Sequence, residues 1–580
     1  MNSPTKLATN EHGWRRYLAG AGGLALAMSG PCFGAEPALT ASFTRITSGP
    51  VWNEVMRSAV AAWGDYDNDG WLDLFIGNNQ TGVRNSLFRN NRDGTFAKVT
   101  SGPIATDTMD STHSAAWVDY NNDGWLDLIV VDLHGDGNRL YRNTGGGAFL
   151  RVTASEAGPV VQDLANSVSI SCADYDRDGL LDLFVANGAL FASQKDFLYH
   201  NEGKGRFIRI DDNAITAPEL STTQGTWADY DNDDDPDLFV THSQDLGNSF
   251  FRNDGGGNFT EVAQASGLAD FGDSSGSAWG DYDNDGDLDL VVTNLRLTAP
   301  NTRNFLYRNN GNGTFTRVTE GPIANDAGHF ESAAWIDYDN DGWLDLFVST
   351  HPPSGAPATS ATNRLYRNLG DGAFAQVTTG SLVTDSGYAG GAAWGDYDND
   401  GFLDVAVAYG TIVTSQRNGL YRNNGNNNAW IKLKCVGTIS NRSAIGTKVR
   451  VKAAIGGKEQ WQLRQIAGSE GWLTFNALDV VVGLGDATII DTIQIEWPSG
   501  LTQELRHVAP RQTLTITEGV TLTMTRVNQQ TLEVTWPAAG HVLESTTNLS
   551  QPDWQPVPGV TGTSHRVSAE RQQFFRLRRP

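Results

Sequence analysis

Seven short acidic segments carry the residues of this chain that are best suited to chemistry. Each is a near-copy of D-Y-D-N-D-G-W-L-D-L, and they begin at Asp65, Asp119, Asp174, Asp229, Asp281, Asp337 and Asp396. Oxygen ligands at positions 1, 3, 5 and 9 of a tight loop form a cage for a hard cation, and the carbonyl at position 7 completes it. An all-oxygen set favours Ca²⁺ over a transition metal.

Each predicted site takes one residue from each of the four positions. The sets are Asp65, Asp67, Asp69 and Asp73; Asp119, Asn121, Asp123 and Asp127; Asp174, Asp176, Asp178 and Asp182; Asp229, Asp231, Asp233 and Asp237; Asp281, Asp283, Asp285 and Asp289; Asp337, Asp339, Asp341 and Asp345; Asp396, Asp398, Asp400 and Asp404. We therefore expect up to seven structural Ca²⁺ ions. A glycine such as Gly70 at position 6 suits a sharp turn, and Asp234 replaces it in the fourth loop.

The loops are not EF-hands, because their twelfth position is apolar, as at Ile76 and Val348, where an EF-hand has glutamate. They connect strand to strand, so each ion is expected to stabilise a hairpin. Four neighbouring carboxylates repel one another without a cation, and metal binding should therefore be coupled to folding.

The segments that flank each loop predict short strands. In the sixth repeat these are residues 332–337, 344–348, 363–368 and the end of 370–378, where apolar and β-branched residues alternate between Gly, Asn and Asp clusters. Successive loops are 52 to 59 residues apart. Four strands in a unit of that length are typical of a propeller blade. A tryptophan two residues before the first Asp is expected in the core, with Cys172 in its place in the third repeat.

The fold class is therefore all-β, a seven-bladed propeller at 40–429 followed by two smaller β domains at 430–518 and 519–580. The strand 43–47 resembles the fourth strand of a repeat and has no blade of its own. It is predicted to complete the seventh blade, which would join the two ends of the ring. Cys172 and Cys435 fall in different domains and are expected to be buried thiols rather than a disulfide.

The negative charge is concentrated in the propeller. Residues 36–429 hold 54 acidic and 23 basic side chains, while the segments on either side are slightly basic. Such a surface argues against a nucleic-acid partner. Residues 1–35 have the pattern of a signal peptide, so we expect a secreted, cell-surface or periplasmic protein without a stable membrane span. The oligomeric state stays open.

The loops and the segments around them resemble the FG-GAP/VCBS repeat, the unit of the integrin α-subunit propeller. The match is A-A-W-G-D-Y-D-N-D-G-W-L-D-L followed by L-F-R-N-N-R-D-G-T-F. Residues 430–518 resemble the ASPIC/UnbV domain of the cartilage acidic protein-like family in N-A-W-I-K-L-K-C-V-G-T, S-N-R-S-A-I-G-T-K-V, V-V-G-L-G and W-P-S-G. The segment G-W-L-T-F-N departs from that family's pattern. These resemblances imply a calcium-dependent binding or adhesion protein.

Strands of a blade alternate in direction, so the acidic loops and the Gly-rich turns should share one face and the variable loops the other. Ligands usually bind variable loops on a rigid scaffold. Five histidines map to this variable face and form a candidate second metal or acid–base cluster, although polar loops commonly contain histidine: His113, His134, His242, His329 and His351. Candidate stacking aromatics there are Trp52, Phe191, Phe330 and Tyr388.

Two functions fit these features. The first is a binding or adhesion module for extracellular glycans or proteins, and we favour it. The second is an enzyme of the polysaccharide lyase or hydrolase type on the variable face, where a hydrolase would require two carboxylates. Glu331 and Asp132 are the available candidates, and no catalytic motif singles them out.

Overall fold

The structure is a computed structural model that describes residues 43–519 apart from 110, 189–192, 296–301, 354–355 and 411–413, together with six strands and residue 557 beyond residue 519. The predicted signal peptide, residues 1–35, and Phe191 lie outside the described residues.

Between residues 43 and 423 the described residues form seven successive antiparallel blades of four strands each, and the blade that contains Ser58–Gly64 is joined by a fifth, parallel strand, Thr474–Phe475. We number these blades 1 to 7 and count strands outward from the first, inner strand. The strands are Ser58–Gly64, Asp73–Asn78, Ser86–Asn90 and Phe96–Lys98; Thr112–Val118, Asp127–Asp132, Arg139–Asn143 and Phe149–Arg151; Ser167–Ala173, Asp182–Asn187, Phe197–Asn201 and Phe207–Ile210; Thr222–Ala228, Asp237–His242, Ser249–Asn253 and Phe259–Glu261; Ser274–Gly280, Asp289–Asn294, Phe305–Asn309 and Phe315–Val318; Phe330–Ile336, Asp345–Thr350, Arg364–Asn368 and Phe374–Gln376; Ala389–Gly395, Asp404–Tyr409, Gly419–Asn423 and Phe43–Arg45. The predicted all-β propeller is confirmed.

The ring closes as the sequence predicted. Phe43 pairs with Asn423 and Arg45 with Tyr421, so the first strand of the chain is the outer strand of the last blade. Unfolding either end of the propeller therefore exposes the edge of blade 7, which couples the two ends energetically.

The core lies between neighbouring blades, where aromatic side chains interlock. Trp63 of blade 1 stacks on Tyr397 of the blade 7 loop with ring centroids 5.9 Å apart, and Trp117 stacks on Tyr66 at the same distance. The tryptophans predicted for the core are all buried, and so is Cys172. Cys172 and Cys435 are both free thiols, as expected.

Short helices and two-stranded ribbons connect the blades on the side away from the acidic loops. The helices are Pro50–Asn53, Pro103–Thr106, Ala154–Ala157, Ala263–Ser266, Pro322–Asn325 and Ser381–Thr384, with 3₁₀ turns at Gly158–Val161 and Ala358–Ser360. The ribbons pair Val55–Met56 with Gln416–Arg417, Val83–Arg84 with Thr108–Met109, Gln194–Lys195 with Glu219–Leu220, and Leu246–Gly247 with Phe271–Gly272.

Two further sheets follow the propeller, and we call residues 429–518 the second β region. One sheet contains Lys458–Gln465, Lys448–Ile455, Ile490–Glu496 and Thr502–Val508, and the other contains Val480–Gly485, Ala429–Val436 and Gln512–Thr517. Beyond residue 519 the described strands are Thr523–Arg526, Thr531–Thr535, Val542–Thr546, Gln555–Pro556, Ser564–Ser568 and Phe574–Arg578. Among the described residues there is no helix with the length and hydrophobicity needed to cross a membrane.

Candidate metal centres and the variable face of the propeller

Each acidic loop is organised by the carboxylate at position 1. In blade 1, Asp65 accepts the N–H of Asp69 at 2.9 Å and that of Gly70 at 3.1 Å. These bonds turn the chain sharply, and position 6 has positive φ, +87° at Gly70. Asp234, which replaces this glycine in the fourth loop, adopts φ +72° as the sequence suggested. The residue at position 4 is left-handed too, a feature that was not predicted from the sequence: Asn68 has φ +55°.

The structure brings the predicted ligands together. Within each of the following groups, one ligand atom per residue lies within 4.8 Å of the others: Asp65, Asp67 and Asp73; Asp174, Asp176 and Asp178; Asp229, Asp231 and Asp237; Asp281, Asp283 and Asp285. Position 9 begins the second strand and position 1 follows the first, so closing one hairpin assembles the cluster.

These clusters fit a divalent cation on two grounds. Several buried carboxylate oxygens in the loops have no hydrogen-bond partner among the described residues: one oxygen each of Asp67, Asp73, Asp127, Asp174, Asp283 and Asp398. Burial, with neighbouring carboxylates, also raises the pKa of Asp73 to about 8 and that of Asp127 to about 9. Unpaired, concentrated negative charge in a buried oxygen cage is what a hard cation would neutralise.

In several blades an arginine on the third strand faces the acidic cluster of the same blade. Arg89 reaches Asp67 at 2.6 Å, Arg422 reaches Asp398 at 2.6 Å, and Arg367 bridges Asp339 and Asp341 at 2.9 Å each. The arginine belongs to the repeated L-F-R-N or L-Y-R-N segment, which is visible in the sequence, although its spacing alone did not reveal the contact.

Hydrogen bonds between loops tie neighbouring blades into a ring. The position 4 side chain Asn68 donates to the carbonyl of Gly124 at 2.8 Å, and Asn399 donates to the carbonyl of Gly70 at 3.0 Å across the closure. Cation binding in one loop would therefore also help to order the next loop.

The second β region covers the face that carries the acidic loops. Three of its lysines pair with position 1 carboxylates: Lys432 with Asp396 at 2.7 Å, Lys434 with Asp65 at 3.0 Å and Lys448 with Asp229 at 2.5 Å. The ammonium and carboxylate of the first pair are both almost completely buried. Elsewhere the Ser443 hydroxyl accepts the N–H of Asp119 at 2.9 Å, and Gly485 donates to the Asn340 carbonyl at 2.8 Å.

Residues 467–477 of the second β region enter the centre of the ring, and we call this segment the plug. Thr474 and Phe475 pair in parallel with the inner strand of blade 1, and Gly471 donates to the Ser277 carbonyl of blade 5 at 3.1 Å. In blade 2, His113 packs on Trp472 with ring centroids 5.5 Å apart. In blade 3, the Cys172 carbonyl lies against Gly468. In blade 7, the Trp394 carbonyl accepts the N–H of Ala477 at 2.9 Å.

The close approach at the plug requires glycine. A Cβ on Gly468 would lie 1.9 Å from the Cys172 carbonyl oxygen, and one on Gly391 would lie 1.7 Å from the Leu473 carbonyl oxygen. Small residues of the inner strands, such as Gly391, therefore make room for the plug.

The five histidines of the variable face do not form one cluster. His113 is buried with Nδ1 3.0 Å from the Val168 carbonyl, and His242 contacts the hydroxyls of Thr222 at 3.2 Å and Ser249 at 3.0 Å within blade 4. His134 is exposed. His329 and His351 line a shared cavity of about 230 Å³ together with Thr350, Ser360, Thr362 and Arg364.

Polar atoms in this cavity lack partners. Nδ1 of His329 and Nε of Arg364 are buried and make no hydrogen bond to any described residue. Tyr388 stands beside the cavity, since its ring meets that of His351 edge-on with centroids 5.0 Å apart. The cavity therefore offers unsatisfied polar groups next to an aromatic ring.

The aromatic candidates differ in exposure. Phe330 is fully buried, so its prediction as a stacking residue is wrong. The inner strand begins at Phe330, two residues earlier than predicted, because of an irregularity in pairing between Phe330 and Ala333. Trp52 is half-buried and packs under Arg45 and Arg417, and Tyr388 donates its hydroxyl to the Ala356 carbonyl at 2.9 Å.

The two candidate catalytic carboxylates lie on different blades in different environments. Asp132 caps a turn, accepting the N–H of His134 at 2.9 Å and that of Ser111 at 3.2 Å. Glu331 lies on the inner strand of blade 6, and burial raises its pKa to about 8.

We predict that Glu331→Gln stabilises the protein increasingly as pH rises. The folded-state pKa lies above the ordinary 4.5, so the native state holds an extra proton and loses stability between about pH 4.5 and 8. Glutamine removes this loss, which amounts to at most about 1.4 kcal/mol per pH unit. Denaturant midpoints of variant and parent from pH 5 to 9 in saturating Ca²⁺ measure the difference. The exposed Glu320→Gln is the control, and a difference independent of pH would contradict the prediction.

Comparison with family models identifies the repeats. The FG-GAP-like repeat model matches residues 65–130, 119–185, 174–240, 229–292, 297–348 and 356–407. These stretches cover more than half of the sequence, and the chain belongs to the FG-GAP-like repeat family. A second model, described as ASPIC and UnbV, matches residues 437–523.

Curated relatives include cartilage acidic protein 1. The Homo sapiens protein is 24% identical over 354 residues, which cover 57% of this chain and 50% of that protein. The Xenopus tropicalis protein is 26% identical over 255 residues, covering 44% and 38%. The chain thus matches about half or less of the length of these relatives.

Among solved structures, a lectin from Agrocybe aegerita that recognises non-reducing terminal N-acetylglucosamine is 18% identical. The match covers 60% of this chain and 84% of the lectin, with a TM-score of 0.38.

Proposed function

We propose that this protein is a secreted or cell-surface calcium-binding propeller that recognises an extracellular glycan or protein through its variable face. Calcium in the acidic loops would stabilise the hairpins and the ring of loop-to-loop hydrogen bonds. Export is supported by the signal-like pattern of residues 1–35.

The observation that carries the proposal is the position of the second β region. It covers the acidic-loop face and fills the centre of the ring, which supports assigning ligand recognition to the opposite face. On that face the cavity at His329, His351 and Arg364 presents polar groups that lack protein partners. Hydroxyl-rich ligands satisfy such groups, and an aromatic ring such as Tyr388 can pack against the apolar face of a sugar.

A polysaccharide lyase is the second candidate. Burial lowers the pKa of both His329 and His351, which favours the neutral imidazole that a general base requires. Arg364 would neutralise a substrate carboxylate. A hydrolase is less well supported, because none of the described residues that line the cavity is a carboxylate. Release of unsaturated products from a uronic-acid polysaccharide would identify the lyase.

We predict that Arg364→Ala weakens glycan binding by at least about tenfold, since removing one charged hydrogen-bonding group costs roughly 1.5–3 kcal/mol. The mature chain is screened on a glycan array with Ca²⁺ and with EDTA, and affinities for each bound sugar are then measured for parent and variant. Arg206→Ala, on the opposite face with an exposed side chain, is the matched control.

Equal losses in the two arginine variants would reject recognition at this cavity. No binding to any glycan would reject a glycan ligand and leave a protein partner, for which the same pair of variants applies. Calcium-independent binding that requires Arg364 would separate the roles of the two faces.

A further inference from the structure

The third blade differs from the other six at the third-strand position that faces the acidic loop. Six blades have an arginine there: Arg89, Arg142, Arg252, Arg308, Arg367 and Arg422. Blade 3 has His200. A guanidinium has no lone pair to offer a metal, whereas an imidazole nitrogen is a common metal ligand.

His200 points into its acidic cluster. Its Nδ1 lies 3.2 Å from an oxygen of Asp182 and 3.3 Å from an oxygen of Asp176. The three ligand atoms lie within 4.8 Å of one another, a spacing that one ion could bridge. The candidate set therefore contains one nitrogen among oxygens.

Asp174 supplies an independent observation. It is 4% exposed, and its Oδ1 has no hydrogen-bond partner among the described residues. In the other blades the equivalent oxygen accepts the N–H of position 5, as Asp65 does from Asp69 and Asp396 does from Asp400. In blade 3 the N–H of Asp178 is directed to Asp176 instead, at 3.3 Å. A buried carboxylate oxygen is thus left unpaired in the same loop, and Asp174 itself shares a group of closely spaced ligand atoms with Asp176 and Asp178.

We propose that the third site binds a divalent transition metal, such as Zn²⁺, Mn²⁺ or Co²⁺, through His200, Asp182, Asp176 and Asp174, while the all-oxygen loops select Ca²⁺. Imidazole is a better ligand for these metals than for Ca²⁺, which prefers oxygen alone. The inference assumes that the loops bind cations and is independent of ligand recognition on the variable face.

The test is a Co²⁺ titration of the full chain after its metals have been removed and millimolar Ca²⁺ has been restored. We expect one equivalent of Co²⁺ to bind and to produce a visible d–d absorption band, with competition by Zn²⁺. His200→Arg, which installs the residue found in the other six blades, should lower the Co²⁺ affinity at least about 100-fold, because even outer-shell losses cost 10–100-fold. Its melting curve in Ca²⁺ verifies folding, and His200→Gln is the substitute if it does not fold.

His134→Ala, which removes an exposed histidine outside this cluster, should leave the Co²⁺ affinity unchanged. The proposal is overturned if Ca²⁺-saturated protein binds no Co²⁺, or if the His200 variants bind as tightly as the parent. Loss of Co²⁺ in His329→Ala but not in His200→Arg would also overturn it, by placing the metal on the variable face.

Discussion

We expect chelation with EDTA to lower the melting temperature of the full chain by about 10 °C or more, and we expect restored Ca²⁺ to reverse the loss as long as the protein has not unfolded. A loop that binds Ca²⁺ would contribute about 2.7 kcal/mol when free Ca²⁺ is at 100 times the dissociation constant, and one kilocalorie per mole shifts the melting temperature of a large domain by a few degrees. Without the ion, the buried carboxylates around Asp73 and Asp127 repel one another and must take up protons or be exposed to solvent. Differential scanning calorimetry in Ca²⁺ and in EDTA makes the measurement.

A single-site variant separates the loss of loop-bound metal from any effect of EDTA that does not involve the acidic loops. Asp345→Asn removes the buried position 9 carboxylate of the sixth loop, and we expect it to lower the melting temperature in Ca²⁺ more than in EDTA. Asp371→Asn, in an exposed Gly-rich turn outside the cluster, is the matched control. Identical melting curves with and without EDTA would reject a structural role for the metal.

The loops and the ring were predictable from the sequence because both depend on local pattern. The spacing of the carboxylates predicts the turn, and the alternation of apolar and polar residues predicts the strands. The strand that begins at residue 43 has no blade of its own, so blade 7 is the one it can complete. The error at Phe330 has a local cause too, since an irregular pairing extends the inner strand and alternation cannot detect it.

The docking of the second β region was not predictable in the same way, because it depends on the match between two surfaces distant in sequence. The charge difference between the acidic propeller and the slightly basic segment that follows was the available signal. Lys432 and Lys434 are two residues apart on one strand, so their side chains share a face of the sheet, and both pair with loop carboxylates. The plug segment G-W-L-T-F-N departs from the pattern of the family it resembles, so the resemblance could not indicate its position.

Replacement of Trp472 by alanine is expected to destabilise the docking of the plug by roughly 3–5 kcal/mol, the usual cost of removing a large buried aromatic side chain. Trp472 is 5% exposed and packs on His113, and its indole N–H has no partner among the described residues, so packing rather than a hydrogen bond is lost. Hydrogen exchange should increase across residues 467–477 and in the inner strand of blade 1, which pairs with Thr474 and Phe475.

The matched control is Trp461→Ala, since Trp461 lies in the same second β region but is 42% exposed. We expect this variant to leave exchange in the plug unchanged and the denaturant midpoint nearly so. Trp472→Phe should retain most of the stability, because it keeps an aromatic ring against His113. If Trp472→Ala matched Trp461→Ala in both measurements, the plug would contribute little to holding the second β region on the propeller. Buried ion pairs such as Lys432 with Asp396 would then have to supply that stability.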